Sequence, residues 1–262
     1  MATRRVTPAE ALIEQAQVVR EWLAELSVEE FDRPSVLPDW EIRTLTGHLL
    51  LVVDGFRRLL ETPTRERPVP MHEWVRRYRR DVDQINASTR DRTGDHSGDV
   101  LVGRLASAIG GLAERLSAAP LPKTLQTPRG PAALSDFLAT RTVELVVHAD
   151  DLSRSLPQRT AIELKRPALS NCCRTLATIL ADAHPGRSIE VRVPPFAAVQ
   201  CGLGDPGPTH TRGTPPNVIE TDPLTFVRLA TGRQAWAEAR AAGLVSASGL
   251  RADLSGALPL LS

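Results

Sequence analysis

The amino-acid sequence predicts a two-domain α+β protein, in which an antiparallel helical bundle at about 1–156 precedes a smaller α+β domain at about 160–262. Two observations support this fold class. Before residue 157, five segments carry apolar residues at helical spacing and are joined by proline-rich connections, a pattern typical of bundles. After it, segments of alternating apolar and polar residues, typical of half-buried strands, occur between helical ones.

The first two helices have recognisable start signals. Thr7 is placed to cap the first helix, Pro8 occupies its first position and Glu10 completes a capping box. We expect the second helix to begin with Asp39 as its cap and to extend to about Leu60.

Three more helical segments complete the bundle, and their approximate ranges are 74–85, 100–116 and 135–155. The proline-rich stretch 62–70 is expected to form a loop before them, and Gly94 separates the first two. The stretch 118–131 contains four prolines and predicts a second loop. Long helices with such connections indicate an antiparallel bundle.

The second domain is expected to combine helices with strands. A helix near 169–180 precedes four expected strands, at 188–193, 197–203, 217–221 and 244–248. Asp222 and Pro223 predict the cap and first position of a helix that ends at Gly232. Two further expected features are a Gly/Pro-rich loop at 204–216 and a last helix near 250–260.

The composition narrows the classes of partner. A formal net charge of +1 provides no strongly basic surface of the kind that nucleic-acid binding requires. No apolar run approaches the roughly 18 residues of a membrane span, and the first residues lack the apolar region of a signal peptide. We therefore expect a cytoplasmic protein with a small-molecule partner, and no nucleic acid or membrane among its partners. Its three cysteines are expected to be reduced and buried: Cys172, Cys173 and Cys201.

Polar residues interrupt the apolar pattern of the bundle. On the fifth predicted helix, successive spacings of four and three place five residues on one face, namely Phe137, Arg141, Glu144, His148 and Asp151. On the second helix, His48 lies within the apolar stripe. Polar groups that face a bundle core cost free energy unless they have a binding partner.

A metal ion is one such partner. Glu144 and His148 are one helical turn apart, and His48 from a facing helix would complete a set of two histidines and one carboxylate. Catalytic zinc sites use this set, but iron and other first-row metals accept the same ligands. Asp151 or Arg141 would then orient a ligand. The alternative is structural, since a single histidine in an apolar stripe is usually a satisfied core residue, and a Glu–His pair at helical spacing often faces solvent.

Two segments, LPDWEIRTLTGHL at 37–49 and TRTVELVVHADDL at 140–152, resemble signatures of the mycothiol-dependent maleylpyruvate isomerase family, which belongs to the DinB-like metalloenzymes. The signatures are Trp-(Thr/Ser)-Val-x-x-Leu-x-x-His-Leu and Arg-x-x-Glu-x-x-x-His-x-x-Asp-Leu. The resemblance implies a four-helix bundle with a divalent metal, usually zinc, whose ligands align with His48, Glu144 and His148. It also implies mycothiol as the thiol co-substrate. The excess of arginine over lysine agrees with the GC-rich genomes of mycothiol producers.

The second half resembles the sterol-carrier-protein-like domain of actinobacteria in three stretches, namely 191–201, 210–223 and 247–255. In the isomerase a related second domain helps to close the site. The Gly-Arg step at 232–233 is common to such domains, so Arg233 is a candidate clamp for a carboxylate. His210 and Arg212, in the Gly/Pro-rich loop, are candidates for binding the cofactor or another ligand.

Together these features predict a metal-dependent and mycothiol-dependent isomerase or S-transferase for a small electrophile, acting as a monomer or homodimer. Asp151, Arg141 and Arg233 are its candidate catalytic and supporting residues. Two alternatives stay open. The same bundle can carry a metal-dependent hydrolase, or an inactive bundle can accompany a sterol-carrier-like cavity that binds a lipid or other small ligand. The intact set of two histidines and one glutamate argues against the second alternative, because a degenerate site should have lost a ligand.

Overall fold

The computed structural model describes residues 6–204 and 216–261. The chain divides into two compact units, the first comprising Met1–Val69 and Arg80–Ala168 and the second comprising Pro70–Arg79 and Leu169–Ser262. The boundary expected from the sequence, at about 156–160, stays a prediction. Among the described residues, none of the helices combines the length and the apolar character that crossing a bilayer requires.

In chain order the helices are α1 (Pro8–Ala24), α2 (Val28–Phe31), α3 (Ile42–Leu59), α4 (Met71–Arg76), α5 (Val82–Thr93), α6 (Gly98–Ser117), α7 (Leu134–Ser155), α8 (Arg166–Ala183), α9 (Pro223–Ala230) and α10 (Trp236–Ala241). The strands are β1 (Thr124–Thr127), β2 (Gly130–Ala133), β3 (Ile189–Val193), β4 (Ala197–Cys201), β5 (Val218–Thr221) and β6 (Val245–Ser248).

Four long helices form the bundle of the first unit. Each of α1 and α3 packs against both α6 and α7, so the four helices enclose one core. Their apolar stripes are buried, as Leu12, Leu45, Leu105 and Leu145 illustrate. The four-helix bundle expected from the family resemblance is confirmed, because the 3.6-residue period of these apolar residues leaves each helix one face to bury.

The expected start signal is confirmed for α1 and is wrong for α3. Thr7 and Glu10 form the expected capping box at the start of α1. Asp39, expected to cap the next long helix, instead adopts a left-handed conformation with φ of +61°, and α3 begins after Glu41. Aspartate tolerates this backbone region better than most residues, so Asp39 is used for a turn instead of a cap.

Two regions of the first half differ from the sequence-based expectation. The single helix expected at 74–85 is divided into α4, a 3₁₀ turn at Arg77–Arg80 and α5. The loop expected at 118–131 contains the β1–β2 hairpin, whose antiparallel register pairs Thr124 with Ala133. The strands of this hairpin are only four residues long, too short for a periodic pattern to be evident in the sequence.

The second unit contains a four-stranded sheet with the order β4-β3-β5-β6. β3 pairs with β5 in parallel, and the two outer pairs are antiparallel. The alternation in β3 is confirmed, because Ile189, Val191 and Val193 are buried while the residues between them are partly exposed. Asp222 caps α9 as expected, accepting hydrogen bonds from two backbone N–H groups.

Two further expectations for the second unit need correction. The short helix α10 was not expected from the sequence. The last helix, expected near 250–260, is absent among the described residues of that segment, which form turns. Pro259 lies in this segment and removes a backbone donor that a helix would need.

Candidate metal centre

His48, Glu144 and His148 come together inside the first unit. One possible ligand atom from each residue lies within 4.8 Å of the other two. Glu144 Oε2 is 3.2 Å from His48 Nε2 and 3.2 Å from His148 Nε2. The two imidazole rings meet edge to face, with centroids 4.8 Å apart. Two ring nitrogens and a carboxylate oxygen therefore share one small volume.

The bundle accounts for this convergence. His48 lies between buried apolar residues of α3, and Glu144 and His148 are four residues apart on the neighbouring α7. The histidine side chains are 9% and 8% exposed, whereas that of Glu144 is 23% exposed. The cluster is thus buried on its histidine side and open to solvent on its carboxylate side.

Asp151 and Arg154 hold the ring of His148. His148 Nδ1 lies 3.0 Å from Asp151 Oδ2, and the other oxygen of this fully buried carboxylate accepts a 2.6 Å hydrogen bond from Arg154 Nη2. A carboxylate only accepts hydrogen bonds, so Asp151 requires a proton on His148 Nδ1, and the neutral form of this ring presents the lone pair of Nε2 to the cluster. Asp151, which the sequence predicts beside the ligands, is therefore in contact with a cluster histidine. Arg154 was not among the predicted residues.

Thr89 is the corresponding contact of His48. Its Oγ1 lies 3.2 Å from His48 Nδ1. Thr89 belongs to α5, where the sequence reasoning expected no site residue. The sequence feature that could have indicated this contact is Gly47, the residue before His48, because α5 packs closely against α3 at this glycine.

Arg141 and Trp40 border the cluster. Arg141 Nη2 is 3.6 Å from Glu144 Oε1, and its guanidinium carbon is 4.9 Å from the centre of the Phe137 ring. The Trp40 ring is 5.2 Å from that of His48. The face of α7 that the spacing predicted is therefore directed into the bundle, with Arg141 beside the cluster carboxylate.

The charges in the cluster suit a cation. Burial raises the pKa of Glu144, but hydrogen bonds from His148 and His48 and the charge of Arg141 outweigh it and hold this pKa well below its usual value. Burial lowers the pKa of His48, and the contact with Glu144 offsets this only in part. Burial lowers the pKa of His148, but hydrogen bonds with Asp151 and Glu144 raise it by more than burial lowers it. The net shift of this pKa is therefore upward.

Other predicted residues lie elsewhere. Arg233 belongs to the second unit, where its Nη1 donates a 2.7 Å hydrogen bond to the Thr231 carbonyl. His210 and Arg212 lie outside the described residues. The three cysteines are buried without disulfides, as expected. Burial raises the pKa of Cys173 to about 12 and that of Cys201 to about 11, so neither thiol is a ready nucleophile.

An open groove along α3 and α6, with a volume of about 940 Å³, is not lined by any residue of the cluster. Its arginines are largely paired within the groove. Asp54 contacts both Arg57 and Arg92, and Glu61 contacts Arg115. We therefore regard the cluster, and not this groove, as the candidate site.

Comparisons with known proteins agree with the two halves of the chain. Residues 12–153 match the family model described as "Mycothiol maleylpyruvate isomerase N-terminal domain", and residues 165–260 match one described as "Bacterial SCP ortholog". No curated protein matches the chain.

Two similar solved structures are crystal structures of the mycothiol-dependent maleylpyruvate isomerase, one of them a mutant form. The mutant has a TM-score of 0.61 and 15% identity, and the other structure has a TM-score of 0.59 and 14% identity. In both cases 92% of this chain and 91% of the other chain are covered. At this level of identity, the likeness shows a shared fold.

Proposed function

Since the chain belongs to the mycothiol maleylpyruvate isomerase N-terminal domain family, we propose that it is a metal-dependent isomerase or S-transferase that uses mycothiol on a small electrophilic substrate. His48, Glu144 and His148 are the proposed ligands of a divalent cation, with zinc as the first candidate. The protein would work in the cytoplasm, where low-molecular-weight thiols are kept reduced.

The convergence of His48 Nε2, His148 Nε2 and Glu144 Oε2 carries the proposal. Two neutral imidazoles and an ionised carboxylate are a donor set that suits zinc and other first-row cations. Both Nδ1 atoms are already engaged by Thr89 and Asp151, which leaves Nε2 of each ring for a metal. The residues present therefore fit a divalent cation.

A bound divalent cation would favour the thiolate form of a thiol near neutral pH, which is the nucleophile that addition to an electrophilic carbon requires. Neighbouring side chains orient the proposed ligands. Asp151 and Arg154 fix the orientation of the His148 ring, and Arg141 forms an ion pair with the carboxylate of Glu144. Trp40 covers one side of His48 and excludes water from it.

The second domain, at about 160–262, is proposed to contribute to substrate binding. Arg233 is the candidate clamp for a substrate carboxylate, because a guanidinium binds such a group in bidentate fashion. His210 and Arg212 are proposed to contact the thiol or the substrate. Their substitution should raise KM more than it lowers kcat, because contacts that serve binding alone act equally in the ground state and the transition state.

The test combines metal analysis with a thiol-consumption assay. Purified protein should contain about one divalent metal per chain and should consume mycothiol in the presence of activated electrophiles, including a cis-configured enone acid. His48→Ala should lose both metal and activity, whereas Gln15→Ala, which removes a buried polar side chain of α1 that does not belong to the cluster, should keep both.

Two outcomes would contradict the proposal. Metal that is retained with turnover independent of thiol would indicate a hydrolase. An unchanged metal content in His48→Ala would show that the ligands are assigned wrongly.

A further inference from the structure

The two histidines of the cluster are held by chemically different partners. His148 Nδ1 faces a carboxylate oxygen of Asp151, which only accepts hydrogen bonds. His48 Nδ1 faces the hydroxyl of Thr89, which can accept or donate. Asp151 therefore restricts His148 to one tautomer, whereas Thr89 is compatible with both tautomers of His48.

The hydroxyl of Thr89 differs from those of other buried threonines in the first unit. Thr46, Thr93 and Thr142 each donate to the backbone carbonyl four residues earlier, as threonines in helices commonly do. Thr89 is completely buried and, within the described parts of the chain, its hydroxyl has the His48 ring as its hydrogen-bond partner. Its hydroxyl is thus directed at a proposed ligand and not at its own helix.

A glycine on α3 makes this contact possible. A Cβ atom at Gly47 would lie 2.0 Å from Thr93 Oγ1, a distance that real Cβ atoms essentially never show, and 3.2 Å from the Cα atom of Thr93, which is a tight contact. The absence of a side chain at Gly47 lets α5 approach α3 closely. Thr89 lies one helical turn before Thr93 and is thereby brought against the residue that follows Gly47.

We propose that Thr89 is a positioning residue for the metal ligand His48. Its hydroxyl holds the ring with Nε2 directed at Glu144 and His148, and it changes from donor to acceptor when the ring changes tautomer. Without a cation, the Nε2–H of His48 donates to Glu144 Oε2 while Nδ1 accepts from Thr89. This inference rests on the proposed function, because it takes the cluster to be a metal site.

A divalent cation at the cluster would need the lone pair of His48 Nε2, so the proton of the neutral ring would reside on Nδ1. A threonine hydroxyl can accept a hydrogen bond as well as donate one, so Thr89 Oγ1 would accept from this Nδ1–H. Thr89 therefore suits the metal-free cluster and the metal-loaded cluster alike.

The experiment compares Thr89→Val, which removes the hydroxyl at nearly constant shape, with Thr89→Ser, which keeps it. Thr142→Val is the matched control, since Thr142 is also completely buried and its hydroxyl donates to the Leu138 carbonyl. Zinc affinity is measured by competition with a chromogenic chelator. The tautomers of the six histidines in the metal-free protein are measured by ¹⁵N NMR after selective histidine labelling.

Thr89→Val should weaken zinc binding by about 10-fold to 100-fold, the range typical of residues that orient a ligand. Thr89→Ser should stay within about threefold of the wild type, and Thr142→Val should not differ from it. In the metal-free wild type, NMR should find His48 protonated on Nε2 and His148 protonated on Nδ1. Thr89→Val should change the ¹⁵N shifts of His48 only.

Three results would overturn the inference. The first is wild-type zinc affinity together with unchanged His48 shifts in Thr89→Val. The second is an equal loss of affinity in Thr89→Ser and Thr89→Val, which would show that packing at this position, and not the hydroxyl, affects zinc binding. The third is equal weakening in Thr142→Val. If the wild type bound no divalent cation, the proposed function would fail, and the NMR comparison alone would decide whether Thr89 positions His48.

Discussion

The two units bury polar side chains of different kinds. Among the described residues, the first unit buries six ionisable side chains, namely His48, Asp54, Arg141, His148, Asp150 and Asp151. In the described part of the second unit, apart from its three cysteines, the buried polar side chains are ones that do not ionise, namely Thr175, Ser188, Asn217, Thr221, Thr225 and Thr231.

The partners of these groups differ as well. In the second unit, Asn217, Thr221 and Thr231 bond to backbone carbonyls and thereby complete the local structure. In the first unit, histidines and carboxylates face one another between α3 and α7. Burying charged groups costs several kcal/mol for each ion before pairing compensates it. The difference indicates that the polar interior of the bundle is retained for chemistry, whereas that of the second unit serves stability.

Glu144→Gln should have the largest effect on function. Removing the only carboxylate of the ligand set should reduce the metal content to background and lower thiol-dependent turnover by at least about 100-fold, more than the loss of a residue that only orients a ligand. Elemental analysis and the thiol assay measure the two quantities, and circular dichroism checks that the bundle is folded. Metal retained at the wild-type level would contradict the conclusion that the buried ionisable residues of the first unit serve metal binding.

Asn217→Ala should have the complementary effect. The side chain donates to the Ser188 carbonyl at 2.7 Å and accepts from the Arg251 N–H at 2.9 Å. Losing both bonds in a buried position should lower the free energy of unfolding by about 2–4 kcal/mol, as urea denaturation measures. Metal content per folded chain should be unchanged, and a parallel loss of metal would contradict the separation of roles.

Gly47→Ala tests the close approach of α5 to α3. The added methyl group would overlap Thr93, so it should lower the free energy of unfolding by about 1–3 kcal/mol and weaken zinc binding by displacing Thr89. Gly55→Ala is the control on the same helix, because a Cβ there meets nothing within 4 Å, and it should stabilise the protein by about 0.5–1 kcal/mol. Equal effects of the two substitutions would contradict the packing argument.

Glu30→Gln should have the smallest effect. The Arg159 side chain donates to Glu30 at 2.7 Å and, with the backbone of Ser27, lowers the pKa of Glu30 from 4.5 to about 2. Because the pKa is depressed in the folded state, this stabilisation is complete above pH 4.5 and disappears as the pH falls toward 2. At pH 7 the substitution should cost about 0.5–1 kcal/mol, since the pair lies near solvent.

Urea titrations between pH 7 and pH 3 measure this dependence, and the difference between Glu30→Gln and the wild type should shrink as the pH falls. Glu21→Gln is the control, since Glu21 pairs with its neighbour Arg20 on the exposed surface. A difference that grows toward acid would show that the sign is wrong.

Much of the fold was evident in the sequence because its signals are local. Helix caps such as Thr7 and Asp222 are read from adjacent residues, and the apolar period of α1, α3, α6 and α7 needs no partner to be recognised. α5 was less evident, because it buries few residues and so has a weak apolar period. The β1–β2 hairpin has four-residue strands that contact α3 and α7, and α10 has only six residues, so neither gives a periodic pattern in the sequence.

The sequence by itself determined that Glu144 and His148 share one face of a helix and that His48 lies in an apolar stripe, because these relations follow from the pitch of an α-helix. Only the tertiary structure decided that the three ligand atoms meet, which nitrogen of each ring faces the cluster, and that Thr89 and Arg154 support it. These features depend on how helices distant in sequence pack. The close approach at Gly47 needs both the absence of a side chain there and the position of Thr93 on another helix.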